Sequence, residues 1–297
     1  MKIGYFPGCS MHASAKEFGL SLGAITAALD VQLAEIKDWA CCGATSAHAT
    51  HHLLSIALPA RALAQAEHEH HDKLLAPCAA CYSRLATARH EMLSDARLTQ
   101  RVTRILGTEF SNSVEVLNIV QLLRDLAPEI KAKVTRPLTD LKVACYYGCL
   151  LVRPPKVTEF DDTEAPTSME DVVRATGATP VTWNKRLDCC GGGFSLSRTG
   201  SVIRLGREIL EDAQRAGAQA LVVACPMCHS NLDLRQAAIA RRSSRPMQLP
   251  ILFISQLVGL ALGVVEGELG LNRHFVSPQP ILAQLAAPKA LEAHKEA

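Results

Sequence analysis

This 297-residue sequence has few aromatic residues and little net charge. Aromatic residues make up 4% of the chain, which leaves few rings on which nucleic-acid bases could stack. The 31 Lys and Arg residues nearly balance the 29 Asp and Glu residues, so the formal charge of +2 creates no strong field for nucleic acid or an anionic membrane. These shortages argue against a nucleic-acid-binding protein, and the 48% hydrophobic content argues against a disordered one.

Long apolar stretches are also lacking. The longest run, residues 251–265, is interrupted by Ser255, Gln256 and two glycines, and it is too short to span a bilayer. We therefore predict a buried helix there and no transmembrane segment. No apolar segment of signal-peptide length follows Met1, so we expect a cytoplasmic protein.

Cysteine, in contrast, is abundant, with 11 residues in the chain. A chain of this length can bury a full core without disulfides, and thiols in the cytoplasm stay reduced. Clustered cysteines in that setting indicate metal binding or redox chemistry.

Ten of the cysteines belong to an internal duplication. Each half contains Gly-Cys, then Cys-Cys-Gly, then Cys-x-x-Cys-x-Ser-x-Leu. Thirty-one residues separate Cys9 from Cys41, and 39 separate Cys149 from Cys189. The Cys-Cys-Gly and Cys-x-x-Cys motifs are 34 residues apart in the first half and 33 in the second. Such matched order and spacing indicate a duplication, and they leave Cys145 without a counterpart.

The pattern of apolar residues predicts an α/β protein with two lobes. Strand–helix–strand–helix–strand in each half favours mainly parallel sheets, with the cysteines in loops after the strands. The expected strands are 2–6, 31–36, 73–76, 141–147 and 220–224, and the expected helices include 14–29, 53–66 and 118–126. Pro59 predicts a late start or a kink in the second of these helices. We place the domain boundary near Pro137, giving domains 1–137 and 138–297, with a peripheral tail at 272–297.

The spacing of the cysteines suits an iron–sulfur centre. A structural zinc site takes four ligands, so a fifth cysteine in each half would be surplus, whereas several irons need several thiolates. Adjacent cysteines such as Cys41 and Cys42 reach two irons more readily than one ion. Structural zinc and a thioredoxin-type Cys-x-x-Cys pair remain as alternatives.

The repeated pattern resembles the CCG domain of the cysteine-rich catalytic subunit of heterodisulfide reductase. The resemblance covers about residues 2–265 and extends to Arg153-Pro154, Phe160-Asp161-Asp162 and Ser255-Gln256-Leu257. It implies two Rossmann-like lobes related by a pseudo-twofold axis, each holding one noncubane 4Fe–4S centre at the lobe interface. The implied ligands are Cys9, Cys41, Cys42, Cys78 and Cys81 for the first centre, and Cys149, Cys189, Cys190, Cys225 and Cys228 for the second.

The same resemblance implies a function. In that family a disulfide is cleaved, or formed in reverse, between the two centres, and a ferredoxin-like iron–sulfur subunit and a flavin-containing subunit supply electrons. Some relatives resemble subunits of bacterial sulfur-oxidising complexes that handle protein-bound sulfur. The alternatives are an electron-transfer subunit of a lactate-, glycolate- or succinate-type oxidoreductase and a structural zinc protein.

Several other residues are candidates for a functional role. His229 replaces Tyr82 of the first half and could donate a proton near a departing thiolate, although packing beside the centre is the alternative. His48 and His52 could share one helix face, or simply lie at a solvated helix end. Lys185-Arg186 could tune a centre or be surface charge, and Cys145 is predicted to be a buried thiol.

Overall fold

A computed structural model of the chain describes residues 1–44, 47–243 and 246–286. It contains two four-stranded sheets, both entirely parallel, with strand orders β2-β1-β3-β4 and β6-β5-β7-β8. The identical order in the two halves matches the duplication found in the sequence. The prediction of an α/β fold with two lobes is therefore confirmed.

The described residues of the first lobe form four strands and eight helices. The strands are β1 (Lys2–Tyr5), β2 (Gln32–Glu35), β3 (Lys73–Leu75) and β4 (Glu115–Leu117). The helices are α1 (Gly8–His12), α2 (Lys16–Ala28), α3 (Ala47–Thr50), α4 (His52–His68), α5 (Ala79–Ser94), α6 (Ala96–Leu106), α7 (Ile119–Asp125) and α8 (Ala127–Lys133).

The second lobe repeats this arrangement of strands and helices. Its strands are β5 (Lys142–Tyr146), β6 (Thr179–Pro180), β7 (Ala220–Val223) and β8 (Ile251–Phe253). Its helices are α9 (Pro155–Thr158), α10 (Ser168–Ala175), α11 (Thr199–Arg215), α12 (Pro226–Leu232), α13 (Gln236–Ala240), α14 (Ile254–Ala261) and α15 (Gln279–Ala286). Three short 3-10 turns lie at Lys185–Leu187, Gly192–Phe194 and Leu271–Arg273.

The sequence prediction undercounted the strands, since each sheet has a fourth strand at its edge. The predicted buried helix over 251–265 is wrong in its first part, where Ile251–Phe253 forms β8 beside β7. The side chain of Gln256 accepts a hydrogen bond from the backbone N–H of Phe253 at 2.9 Å and so fixes the start of α14. Gln121 does the same for Asn118 at the start of α7, the equivalent helix of the first lobe.

Helix α4 also departs from the prediction. It begins at His52 and continues through Pro59, so the late start predicted from this proline is wrong. Most side chains of the helix between Ser55 and Ala66 are buried. Burial of this alanine-rich face outweighs the loss of one backbone hydrogen bond at the proline.

The two lobes pack against each other through equivalent helices. Helix α2 contacts α14, and α10 contacts α7 and α8, as expected for a pseudo-twofold relation. The rings of Phe18 and Phe253 stack across this interface with centroids 4.2 Å apart, and the hydroxyls of Ser21 and Ser255 lie 2.7 Å apart. Both phenylalanines are completely buried. The interface is therefore an apolar core with a few buried hydrogen bonds.

The segment that follows α14 packs on the second lobe. Ile281 and Leu282 of α15 are buried, so the part of the predicted tail that lies in the described ranges is folded against the protein. The remainder of that tail, 287–297, lies outside the described residues. Among the described helices, none combines the length and the apolar character that crossing a membrane would require.

Candidate metal centres

The cysteine loops all follow the carboxyl ends of strands. In the first lobe, Cys9 follows β1, Cys41 and Cys42 follow β2, and Cys78 follows β3. In the second lobe, Cys149, Cys189, Cys190 and Cys225 follow β5, β6 and β7 in the same way. Parallel strands end at the same edge of a sheet, so three loops converge there in each lobe.

The thiols approach one another without forming disulfides. Sulfur–sulfur distances are 3.3 Å between Cys42 and Cys81, 3.4 Å between Cys190 and Cys228, and 3.7 Å between Cys149 and Cys189. A disulfide would require about 2.05 Å. All eleven cysteines are free of disulfides, so the ten cysteines of the two sets are available as ligands.

The arrangement of the cysteine sulfurs indicates which type of metal centre they could bind. Four thiolates around one zinc ion lie about 3.8 Å apart, given Zn–S bonds of about 2.3 Å. Within the described ranges, no three cysteines form a group compact enough to hold one metal ion. Each lobe thus offers five soft donors without such a group, which fits a centre with several irons better than a single ion.

The two ligand sets meet at the lobe interface. The thiols of Cys78 and Cys225, which begin the two Cys-x-x-Cys motifs, lie near enough across it that Cys225 raises the pKa of Cys78 and Cys78 lowers the pKa of Cys225. Hydrogen bonds from Cys228 and Cys78 hold the pKa of Cys225 well below its ordinary value. Two metal centres bound by these sets would therefore be close neighbours.

Each set extends from this buried contact to the protein surface. Cys42, Cys78 and Cys81 are buried, whereas Cys9 and Cys41 are exposed. In the second set Cys189 is exposed and Cys149 is half-buried. A centre in either lobe would thus have one buried side and one side accessible to another molecule.

Two of the thiols ionise easily. A hydrogen bond from Cys81 lowers the pKa of Cys42 to about 7, and one from Cys149 lowers the pKa of Cys189 to about 6. Thiolates are the form of cysteine that binds metals, and thiolates at neutral pH reduce the proton cost of loading a centre. Cys42 and Cys189 lie in the Cys-Cys-Gly motifs, whereas Cys225, whose pKa is also lowered, begins the second Cys-x-x-Cys motif.

Two glycines allow the backbone to pass close to the ligands. Gly8 and Gly148 precede the first cysteine of each set and have φ values of +64° and +66°. A Cβ at Gly8 would lie 2.9 Å from the sulfur of Cys81, and one at Gly148 would lie 3.4 Å from the sulfur of Cys228. The Gly-Cys pair found in each half of the sequence is thus explained by the positive φ of the glycine and by the lack of space for a Cβ beside the cysteine sulfur.

Replacing Gly8 with alanine is therefore expected to impair the first centre. The left-handed conformation costs an alanine about 1–2 kcal/mol, and the new methyl group displaces Cys81. We expect fewer irons per chain and an unfolding free energy lower by about that amount, measured by iron analysis and urea titration. Gly23→Ala, at a helical glycine whose added Cβ would meet open space, is the control. Unchanged iron content and stability in Gly8→Ala would contradict the close-approach argument.

A cavity of about 180 Å³ lies between the lobes beside the second cysteine set. Its wall combines side chains of both lobes: Ala44, His48, Ala79, Ala80, Arg84, Tyr147, Cys149, Leu150, Cys189, Cys190, Gly192, Gly193, Cys225, Met227 and Cys228. Sequence analysis missed Arg84, Leu150 and Met227. The duplication contained a signal for Arg84, because Asn231 occupies its place in the second half.

His229 lies behind the cavity rather than in its wall. Its ring is stacked on Phe253 with centroids 4.3 Å apart, and its Nε2 lies 3.1 Å from the carbonyl oxygen of Ile251. Burial lowers the pKa of His229 to about 3, so the ring is neutral at physiological pH. The Nδ1 of His274 lies 3.2 Å from the Nε2 of His229, and its Nε2 lies 2.8 Å from the side-chain amide of Gln256. These contacts support a packing role next to Cys228.

The other histidine candidates are exposed. His48 and His52 lie on different helices, α3 and α4, so the predicted shared helix face does not form. His48 lies in the cavity wall, and the Nε2 of His52 lies 2.7 Å from Glu91. The ring of His51 caps α4 by accepting the N–H of Leu54.

The remaining candidates, Lys185, Arg186 and Cys145, make contacts within the protein itself. Lys185 pairs with Asp188 at 2.8 Å, as expected for surface charge. Arg186 is more buried, and its carbonyl accepts the N–H groups of Tyr147 and Gly148 just before the first cysteine of the second set. Cys145 is completely buried in β5, and burial raises the pKa of its thiol, which confirms the prediction of a buried thiol.

Comparison with known proteins gives matches over nearly the whole chain. The family model "Cysteine-rich domain" (CCG) matches residues 3–86 and 143–233. The 8-methylmenaquinol:fumarate reductase membrane anchor subunit of Wolinella succinogenes is 34% identical over 278 residues, covering 93% of this chain and 97% of that protein. One subunit of the ferredoxin/F(420)H(2)-dependent CoB-CoM heterodisulfide reductase of Methanosarcina acetivorans is 32% identical, covering 86% of this chain and 88% of that protein.

A solved structure shares the fold. The crystal structure of a hypothetical protein from Helicobacter pylori superimposes with a TM-score of 0.73 at 11% identity. The match covers 93% of this chain and 52% of that protein, so this chain spans about half its length. At such low identity the match supports the two-lobed fold alone.

Proposed function

This chain belongs to the CCG cysteine-rich domain family, which also contains a subunit of CoB-CoM heterodisulfide reductase, and from that premise we propose that it is the catalytic iron–sulfur subunit of a heterodisulfide reductase-like complex. It would bind two noncubane 4Fe–4S centres, one in each of the units 1–137 and 138–297, and reduce or form a disulfide between them. The relatives support the broader assignment to a redox subunit of a larger assembly.

The contact between the two ligand sets carries this proposal. Two complete sets of five thiols meet at Cys78 and Cys225, beside a cavity whose wall comes from both lobes. A bound iron–sulfur centre supplies single-electron transfer and an iron that can accept sulfur. A substrate in this cavity would lie against the second set and within reach of the first lobe.

The reaction requires electrons and protons from outside the chain. Cleavage of a disulfide RS–SR′ consumes two electrons and two protons and yields RSH and R′SH. The electrons would come from a ferredoxin-like iron–sulfur subunit fed by a flavin-containing subunit. Exposed Cys9, Cys41 and Cys189 give such a partner access to both centres.

A second candidate is an electron-transfer subunit that acts on no sulfur substrate of its own. The similarity to the fumarate reductase membrane anchor subunit favours it. In that case the cavity would have no thiol or disulfide to bind, and electrons would pass from one centre to a partner. A structural zinc protein is the third alternative.

The first test is the metal and sulfide content of anaerobically purified protein. We expect about eight irons per chain with matching acid-labile sulfide, because both five-cysteine sets are complete. The same preparation, reduced by an artificial one-electron donor, should cleave a disulfide substrate. About four irons with no disulfide cleavage would favour the electron-transfer subunit, and stoichiometric zinc with little iron would refute both redox proposals.

A further inference from the structure

At two positions of the inter-lobe cavity, the residues that the duplication makes equivalent differ between the two lobes. Alignment of the Cys-x-x-Cys motifs pairs Ala80 with Met227 and Arg84 with Asn231. Ala80 and Arg84 lie one turn apart on α5 and both line the cavity, whereas from α12 only Met227 joins Cys228 in the wall. The first lobe thus contributes a small residue and a cation, and the second contributes a flexible apolar side chain.

The side chain of Asn231 forms hydrogen bonds within the second lobe. Its Nδ2 donates to the carbonyl oxygen of Cys190 at 3.2 Å, and its Oδ1 accepts the hydroxyl of Ser195 at 2.9 Å. These bonds tie α12 to the Cys-Cys-Gly loop of the second lobe. The asparagine is therefore fully engaged and buried, with 1% exposure.

Arg84 has no comparable role. Its side chain is half-buried, and among the described residues its guanidinium makes no hydrogen bond or ion pair. No carboxylate forms part of the cavity wall in the described ranges, and the charge of Arg84 helps to lower the pKa of Cys42. A partly buried guanidinium with five free donors is costly to leave unpaired and is well shaped to bind a carboxylate, sulfonate or phosphate.

The rest of the wall is mainly apolar. Leu150, Met227, Ala79 and Ala80 surround the space between Arg84 and the second cysteine set. A ligand that fills it would place an apolar segment against Met227 and Leu150 and a polar group at Arg84. Its sulfur would then lie towards the thiols of the second set.

We propose that Arg84 binds a negatively charged group of the thiol or disulfide that enters the inter-lobe cavity, so that the substrate carries an anionic group a few bonds from its sulfur. This inference rests on the proposed function, because it assumes that a sulfur compound occupies the cavity. Beyond that function, it specifies that the substrate is negatively charged and that Arg84 is the residue that selects for this charge. Arg84 is thus a specificity-determining residue supplied by the first lobe to the centre of the second.

The test compares an anionic thiol with a neutral thiol of the same carbon-chain length. Oxidised protein with a full complement of iron is titrated anaerobically with 3-mercaptopropionate or with 3-mercapto-1-propanol, and the change in the electron paramagnetic resonance spectrum gives an apparent Kd. We expect the anionic thiol to bind at least about tenfold more tightly than the neutral one. In Arg84→Gln this preference should fall to within about twofold, while the affinity for the neutral thiol stays the same.

Two further variants complete the comparison. Arg84→Lys keeps the charge and should retain part of the preference, which a merely structural role would not produce. Arg101→Gln removes an exposed arginine of α6 that does not line the cavity and should behave like the parent protein. Iron analysis of each variant shows whether the centres are intact.

The outcomes separate this inference from the proposed function. If both thiols perturb the spectrum with equal Kd, or if Arg84→Gln keeps the preference, the assignment of Arg84 is wrong although a sulfur compound still binds. If Arg84→Gln shifts the reduction potential of a centre but leaves the preference intact, Arg84 compensates the charge of the centre instead. If neither thiol alters the spectrum of fully loaded protein, the proposed function fails and this inference fails with it.

Discussion

Replacing Cys42 with serine is expected to eliminate the first iron–sulfur centre while leaving the second, and Cys190→Ser is expected to do the converse. A serine hydroxyl stays protonated at neutral pH and is a poor ligand for iron compared with the thiolate of Cys42, whose pKa is about 7. Each variant should lose about half of its iron and the spectrum of one centre. Disulfide cleavage should fall by more than about 100-fold in both, since the proposed reaction uses both centres.

Cys145→Ala is the matched control for these variants. Cys145 is a completely buried cysteine of the second lobe that belongs to neither ligand set. Its replacement should lower the unfolding free energy by about 1 kcal/mol and leave the iron content unchanged. If Cys42→Ser and Cys190→Ser both retain full iron and turnover, the ligand assignment is wrong. If only Cys145→Ala loses iron, the eleventh cysteine is a ligand.

The composition of the site could be predicted from the sequence because the duplication is visible in the cysteines themselves. Matched spacing of Cys9, Cys41 and Cys78 with their repeats predicted all ten thiols in loops after strands. The structure places seven of them in such loops, whereas Cys9, Cys81 and Cys228 lie in the helices α1, α5 and α12 that follow. The short strands before Cys9 and Cys149 were also predicted to within a residue. Their apolar and β-branched residues are typical of strands buried on both faces.

The errors have physical reasons of two kinds. Residues 251–265 form one apolar run, and a buried strand followed by a buried helix has the same composition as a single buried helix. The hydrogen bond between Gln256 and the backbone of Phe253 separates them, and it depends on geometry that hydrophobicity does not encode. The position of Arg84 in the cavity wall could not be predicted either, because its surroundings depend on how the two lobes pack.

Truncation of Phe253 to alanine is expected to be the most destabilising change outside the cysteines. The ring is completely buried and lies between two others, with Phe18 at 4.2 Å on the first lobe and His229 at 4.3 Å next to Cys228. Removing a buried phenylalanine costs about 3–5 kcal/mol. Guanidinium titration of anaerobic protein should show this loss, whereas Phe275→Ala, whose ring is 71% exposed, should change the unfolding free energy by less than about 0.5 kcal/mol.

The stack of rings also predicts coupling between lobe packing and the second centre. A double-mutant cycle of Phe18→Ala and Phe253→Ala should give a coupling energy of about 0.5–1.5 kcal/mol, because the two rings contact each other directly. Phe253→Ala should in addition lower the iron content of the second centre more than Phe18→Ala does, since it is Phe253 that stacks on His229 beside Cys228. Additive stabilities would mean that the Ser21–Ser255 contact and the helix packing hold the lobes together without this stack. Equal iron contents in the two variants would show that the position of His229 does not affect the ligands.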